Sequence, residues 1–259
     1  MTTLDTFTLD DERALIREYP DFSVGLKLLF EEFNSLPSDE RQAAYATLMR
    51  YVREGRDNTY ASDVSDLVAF IEARALFEDG ESITDLGAGP GDLVCALKEA
   101  YPQSDVSGFE LSPAFIKAFN AQRKGMDEAF LEMGIIDDGF QVPQTARRQN
   151  VLSILTLDRL KNPKQLVRNM ARFTGSKVLG TLLPVVGRDD NPSLQDNPTI
   201  YTPVANQITP GVDADEDKAL LQAFLAETWG QEVSFGSVPY KVTSSGDTQI
   251  YDLGVFYTQ

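Results

Sequence analysis

One segment constrains the fold of this chain more than any other: the run Asp85-Leu-Gly-Ala-Gly-Pro-Gly91. Its glycines let the backbone turn sharply and let a ligand approach closely, because no Cβ atoms stand in the way. The stretch Ser82–Leu86, which leads into the run, predicts a strand, and the stretch Gly91–Tyr101 after it predicts a helix. A strand, a glycine turn and a helix in this order are typical of a parallel α/β sheet that binds a ligand at the turn.

An acidic residue stands at the matching position of the next predicted strand, Asp105–Glu110. Glu110 follows Gly91 by 19 residues, and a carboxylate at that position can accept hydrogen bonds from both ribose hydroxyls of an adenosine. A dinucleotide-binding turn has a further glycine three residues after Gly89, where this chain has Asp92. The spacing therefore favours an adenosine ligand and disfavours a nicotinamide dinucleotide.

The rest of the chain divides into a helical part and an α/β part. Residues 1–80 show only helical spacing and predict an N-terminal helical cap or lid. Residues 81–259 alternate strands with helices, which predicts a Rossmann-like, mostly parallel sheet of seven strands. The further strands are expected at Ala129–Met133, Asn150–Leu157, Lys177–Pro184, Glu232–Val242 and Gln249–Tyr257, with the last two as an antiparallel hairpin. Residues 185–213 hold four prolines and predict a long insertion loop.

Composition excludes several classes of function. A formal net charge of −17 repels phosphate backbones and disfavours nucleic acids. The chain has no histidine, which excludes Ser-His-Asp and Cys-His catalysis and histidine-based zinc sites, and its single cysteine, Cys95, excludes a cysteine-rich metal site. No apolar run approaches the roughly 20 residues that span a bilayer, and the N-terminus lacks the pattern of a secretory signal. We therefore expect a cytoplasmic protein with a small-molecule substrate and with no metal, membrane or nucleic-acid partner.

The segment ITDLGAGPGD, with Glu110 after it, resembles motif I of the class I S-adenosylmethionine-dependent methyltransferases. The resemblance covers roughly residues 83–183 and the closing hairpin. It implies S-adenosylmethionine as cofactor, with S-adenosylhomocysteine as the product of methyl transfer. It also implies positions along the cofactor: Asp85 near its sulfonium and ammonium groups, Gly87, Ala88, Gly89 and Gly91 beside it, Glu110 on the ribose, Leu111 on the adenine face, and Asp137 or Asp138 at the adenine amine.

The acceptor side is expected at the end of the fourth strand, because open α/β sheets bind ligands at the carboxyl ends of their strands. Methyl transfer requires a nucleophile held close to the methyl carbon and water kept out. Thr156 is expected beside the cofactor, while Asp158 and Tyr201 are the candidate catalytic groups. Tyr60 is a candidate for closing on the sulfonium by cation–π attraction, or on the methionine carboxylate by hydrogen bonding.

Two alternatives use the same cofactor site. In the first, the cofactor's own amine attacks its methionine chain, as in azetidine-2-carboxylate synthases, and methylthioadenosine is released. That reaction needs neither a second substrate nor histidine. In the second, the chain binds the cofactor without catalysis. Methyl transfer releases S-adenosylhomocysteine only when an acceptor is present, whereas cyclisation consumes the cofactor alone and a binding protein leaves it intact.

Overall fold

The computed structural model describes residues 7–57, 60–122, 130–133, 150–157, 163–182, 214–244 and 247–259. Within these residues, eight strands form one mixed sheet with helices on both faces. The strands are β1 (Tyr60–Asp63), β2 (Ser82–Leu86), β3 (Asp105–Glu110), β4 (Phe130–Met133), β5 (Asn150–Ile154), β6 (Lys177–Leu182), β7 (Ser234–Ser244) and β8 (Asp247–Tyr257).

The sheet is parallel in its centre and antiparallel at one side. Its strand order is β1-β7-β8-β6-β5-β2-β3-β4. The pairs β6–β5, β5–β2, β2–β3 and β3–β4 are parallel, and the pairs β6–β8, β8–β7 and β7–β1 are antiparallel. The carboxyl ends of β2, β3 and β5 therefore point the same way and meet at one edge of the sheet, where ligands of such folds bind.

Eight α-helices surround the sheet within the described ranges. They are α1 (Leu9–Glu18), α2 (Ser23–Ser35), α3 (Ser38–Asp57), α4 (Ser65–Ala73), α5 (Asp92–Ala100), α6 (Pro113–Gln122), α7 (Pro163–Met170) and α8 (Ala214–Trp229), and a 3₁₀ turn at Pro20–Phe22 joins α1 to α2. Local sequence explains several of their starts. Thr8 and Asp11 form a reciprocal capping box at α1, and Pro113 opens α6, where its missing N–H is not needed.

Alternating strand residues divide the core into two layers. Leu86, Val151 and Leu179 pack with α1–α3, α7 and α8 on one face of the sheet. Their strand neighbours on the opposite face, such as Ile83 and Leu152, pack with α4 and α5, and α6 contributes to both layers. The N-terminal helices thus share one hydrophobic core with the sheet.

The sequence-based prediction of a Rossmann-like α/β sheet with an antiparallel C-terminal hairpin is confirmed, but the predicted count of seven strands is wrong. The additional strand is β1, which lies inside the segment expected to be entirely helical and pairs antiparallel with β7, Asp63 opposite Lys241. Its sequence, Tyr-Ala-Ser-Asp, has no apolar run, so the strand depends on a distant partner rather than on local pattern.

Every helix of the described residues is too short or too polar to cross a membrane.

Candidate functional site

The glycine turn lies between the carboxyl end of β2 and the amino end of α5, as the sequence predicts. Gly87, Gly89 and Gly91 all have positive φ angles, of 83°, 56° and 84°. Other residues adopt such angles only with strain. The N–H groups of Gly87 and Ala88 donate to the carbonyl of Phe109, at 2.8 and 3.0 Å, which ties the turn to β3. A Cβ on Gly89 would meet no atom within 4 Å, so the backbone there borders open space.

The carboxylate of Glu110 joins β3 to this turn. One of its oxygens accepts the Gly89 N–H at 2.7 Å and the other accepts the Ser112 N–H at 2.8 Å. Its side chain is buried, with 4 % of the residue exposed. Two backbone donors favour the ionised form of a carboxyl group. A fixed negative charge therefore lies against the open side of the glycine turn.

A second buried carboxyl group, that of Asp85, lies one strand away on β2. The residue is 3 % exposed, and its Oδ1 has no hydrogen-bond partner among the described residues. Burial, and then the charge of Glu110, raise the pKa of Asp85 to about 8. Burial and like charge therefore both favour the protonated form of this carboxyl group.

The end of β5 packs directly on the glycine turn. Thr156 is buried, and its hydroxyl lies 3.3 Å from the carbonyl oxygens of both Leu86 and Gly87. A Cβ on Gly87 would come within 2.2 Å of that hydroxyl, so Thr156 fills the space that a side chain would need. Leu155, just before it, has a φ of 55°, which is a strained conformation for leucine. Such strain is concentrated at functional positions of folds.

Helix α3 contacts the first turn of α6, the helix that follows Glu110 in the chain. A Cβ on Gly55 would lie 2.6 Å from the Cβ of Ala114 and 2.8 Å from the backbone nitrogen of Phe115. The absence of a side chain at Gly55 lets the two helices approach this closely. The C-terminal turn of α3 is thereby held beside the start of α6, immediately after the Glu110–Ser112 segment.

The structure gathers most of the residues singled out from the sequence at one edge of the sheet. Those that lie together are Asp85, Gly87, Ala88, Gly89, Gly91, Glu110, Leu111 and Thr156. Leu111 is buried in the core layer that contains the N-terminal helices. Tyr60 lies in β1, which pairs with β7 at the sheet edge and approaches α5, the helix that starts at the glycine turn. Asp137, Asp138, Asp158, Tyr201 and the 185–213 loop lie outside the described residues.

Two features of the site were not foreseen from the sequence. The buried Oδ1 of Asp85, which has no partner among the described residues, depends on what surrounds β2 and has no signature in the motif itself. The left-handed Leu155 also has no sequence signal, since turns of this kind are expected at glycine or asparagine. Ser112 was not singled out from the sequence as a site residue either, although its N–H is one of the two donors to Glu110.

Comparison with known proteins identifies the fold. No family model matches the chain, and no curated protein is similar enough in sequence to stand as a relative. Among solved structures, an S-adenosylmethionine-dependent methyltransferase from Aquifex aeolicus is similar, with a TM-score of 0.53 and 13% identity over 79% of this chain and 96% of the other. A chain of the complex between the Haloferax volcanii Trm112 methyltransferase activator and a methyltransferase has a TM-score of 0.51 and 17% identity, over 73% and 78%.

The methyltransferase domain of bacterial CtHen1 gives a third similar structure, with a TM-score of 0.50 and 13% identity over 80% of this chain and the whole of the other. All three are methyltransferase structures by their descriptions, and the likeness in fold extends over 73–80% of this chain. This chain therefore has the Rossmann-like fold of the class I S-adenosylmethionine-dependent methyltransferases. The resemblance drawn from motif I is confirmed at the level of the fold.

Proposed function

We propose that this chain binds S-adenosylmethionine at the glycine turn and transfers the cofactor's methyl group to a small molecule. The observation that carries the proposal is the contact between the Glu110 carboxylate and the Gly89 N–H, at 2.7 Å. It places a fixed negative charge beside open backbone, at the edge where sheets of this fold bind ligands. A ribose with two adjacent hydroxyls presents the donors that such a carboxylate accepts.

The cofactor supplies an activated methyl group on its sulfonium, so the protein's task is to bind, orient and exclude water. Asp85 and Glu110 provide buried carboxyl groups for a ligand with positive charge. Thr156 and the strained Leu155 fix the end of β5 on the turn, beside the place where an acceptor would enter. Asp158 and Tyr201 remain the proposed acceptor-side groups.

Two features support a small acceptor: the net charge of the chain and the packing of helix α3. A net charge of −17 disfavours phosphate-rich polymers. Helix α3 packs through Gly55 against the start of α6, the helix that follows Glu110 in the chain. We propose that the N-terminal helices act in this way as a cap and select the acceptor, and that the protein works in the cytoplasm.

Mass spectrometry of the purified protein incubated with S-adenosylmethionine tests the proposal. Intact cofactor that becomes S-adenosylhomocysteine only when small-molecule acceptors are added would support methyl transfer. Methylthioadenosine formed from the cofactor alone would show that the protein cyclises the cofactor and does not transfer its methyl group. Cofactor that is retained but never converted, whichever acceptor is added, would indicate that the protein binds the cofactor without catalysis.

Gly89→Val should block the cofactor by placing a branched side chain in the open space beside the turn. The matched control is Gly230→Val, after α8, because Gly230 also has a positive φ, of 66°, and also has no atom within 4 Å of an added Cβ. Both variants should lose a similar amount of stability, about 1–3 kcal/mol. Only Gly89→Val should lose affinity for S-adenosylmethionine, by about 100-fold or more, or ~2.7 kcal/mol. Equal affinities in equilibrium dialysis would remove Gly89 from the site.

Glu110→Gln should weaken cofactor binding, because it removes a charge-assisted acceptor for the ribose hydroxyls. The loss should be about 1.5–3 kcal/mol. The introduced glutamine also has an NH2 group in place of one oxygen, so one of the two backbone N–H groups that now donate to Glu110 would face another donor. The turn would be less tightly held. Glu99→Gln, on the exposed side of α5, makes the same chemical change away from the site. Isothermal titration should separate the two variants, and unchanged affinity in Glu110→Gln would exclude Glu110 from ribose binding.

A further inference from the structure

Two carboxyl groups lie at the carboxyl ends of neighbouring strands, but only one of them is supplied with donors. Glu110 accepts one backbone N–H on each oxygen. Asp85 has a buried Oδ1 without a hydrogen-bond partner in the described part of the chain. A buried carboxylate without donors is costly, whereas a buried neutral carboxylic acid is much less so. The negative charge of the pair therefore resides on Glu110.

Among the described residues, no cation is found to compensate the charge of an ionised Asp85. The strand β5 carries no titratable group. The other titratable side chains of α4, α5 and β3 are Asp66, Glu72, Asp92, Cys95, Lys98, Glu99 and Asp105. Of all the described groups, only Glu110 acts electrostatically on the pKa of Asp85, and it acts in the same direction as burial. Burial and like charge both keep a proton on Asp85.

We propose that Asp85 holds a proton in the ligand-free site and releases it to solvent when a positively charged ligand binds. The proton leaves an Asp85 oxygen, and the ligand's positive charge takes its place beside the resulting carboxylate. The total charge of the buried site is then unchanged by binding. The site in this way selects ligands that carry positive charge, because a neutral ligand would leave Asp85 either protonated or unpaired.

This inference rests on the proposed function for its ligand, S-adenosylmethionine. The ligand's sulfonium and ammonium groups carry two positive charges and its carboxylate one negative charge, so its net charge is +1. The inference goes further in assigning a proton to the binding step. The sign follows from mass action: because a proton is released, affinity rises with pH, about tenfold per pH unit, until Asp85 ionises in the free protein as well. That levelling is expected near pH 8, the pKa of Asp85.

Isothermal titration with S-adenosylmethionine at pH 6.5, in two buffers of different ionisation enthalpy, measures the proton directly. At this pH the ligand's own α-amine is almost fully protonated and contributes little. We expect about one proton released per cofactor bound by the wild type, none by Asp85→Asn, and the wild-type value for Asp92→Asn, a control in the first turn of α5. Binding without proton release would overturn the inference and leave the proposed function standing.

A second measurement needs no ligand. The infrared difference spectrum of the free proteins at pH 6.5, wild type minus Asp85→Asn, should contain the carbonyl band of a protonated carboxylic acid. Its presence supports the inference even if S-adenosylmethionine fails to bind, an outcome that would remove the proposed function instead. A spectrum with only ionised carboxylate bands would overturn the inference.

Discussion

Asp85→Asn should make the protein more stable in mildly alkaline solution while reducing its affinity for S-adenosylmethionine. The pKa of Asp85 is raised from 3.8 to about 8 in the folded protein, so folding takes up a proton between these values. The associated stability is complete below the unfolded pKa, falls as the pH rises, and is lost once the pH passes about 8. The asparagine side chain does not titrate and should escape this loss.

The measurement is urea denaturation of both proteins at pH 5, 6.5 and 8.5. Near pH 5 the variant should already be favoured by about 1–2 kcal/mol, because Asp85 keeps its proton in the folded protein but has largely lost it in the unfolded one. By pH 8.5 the variant should be favoured by about 2–4 kcal/mol. Asp92→Asn should follow the wild type at every pH. Parallel pH profiles for wild type and Asp85→Asn would show that Asp85 ionises normally in the folded state.

Gly87→Ala should be the most destabilising small substitution at the turn. The added Cβ would come within 2.2 Å of the Thr156 hydroxyl oxygen and 2.6 Å of its methyl carbon, and the φ of 83° strains any residue with a side chain. We expect a loss of about 3 kcal/mol or more in the free energy of unfolding. Gly80→Ala is the matched control: its φ is 98°, but an added Cβ meets nothing within 4 Å, so the loss should be near 1 kcal/mol.

A double substitution identifies the neighbour responsible. Thr156→Ala removes the two closest atoms and leaves the Thr156 Cβ at 2.9 Å from the new Cβ. Combined with Gly87→Ala, it should recover part of the lost stability, so that the two changes are not additive. Thermal unfolding of the four proteins of the cycle measures this coupling. Additive losses, or a Gly87→Ala variant as stable as Gly80→Ala, would contradict the close packing of Thr156 on the turn.

The sequence was sufficient to predict the elements that are determined by residues close together in the chain. The bounds of β2 and β3 match their predictions, because glycine, serine and charged residues stand at or next to both ends of each strand. The glycine turn and Glu110 could be placed together because parallel neighbouring strands must bring their carboxyl ends to the same edge. These inferences depend on spacing along the chain, which a sequence displays directly.

The features that sequence reasoning missed arise from contacts between distant segments. The strand β1 exists because β7, far along the chain, offers it hydrogen bonds. The proton on Asp85 depends on the absence of donors around one oxygen, which is a property of the packed site. The conformation of Leu155 is held by tertiary surroundings against the preference of leucine. No single-residue pattern encodes any of these.

The pairing of β1 with β7 also bears on how the chain is synthesised. Asp63 and Lys241 are partners although 178 residues separate them, so β1 is made early and acquires its hydrogen bonds only when the last part of the chain emerges. Until then the segment between α3 and α4 has no sheet to join, and contacts of such long range form slowly. Completion of the C-terminal hairpin is therefore the event that joins β1, between α3 and α4, to the finished sheet.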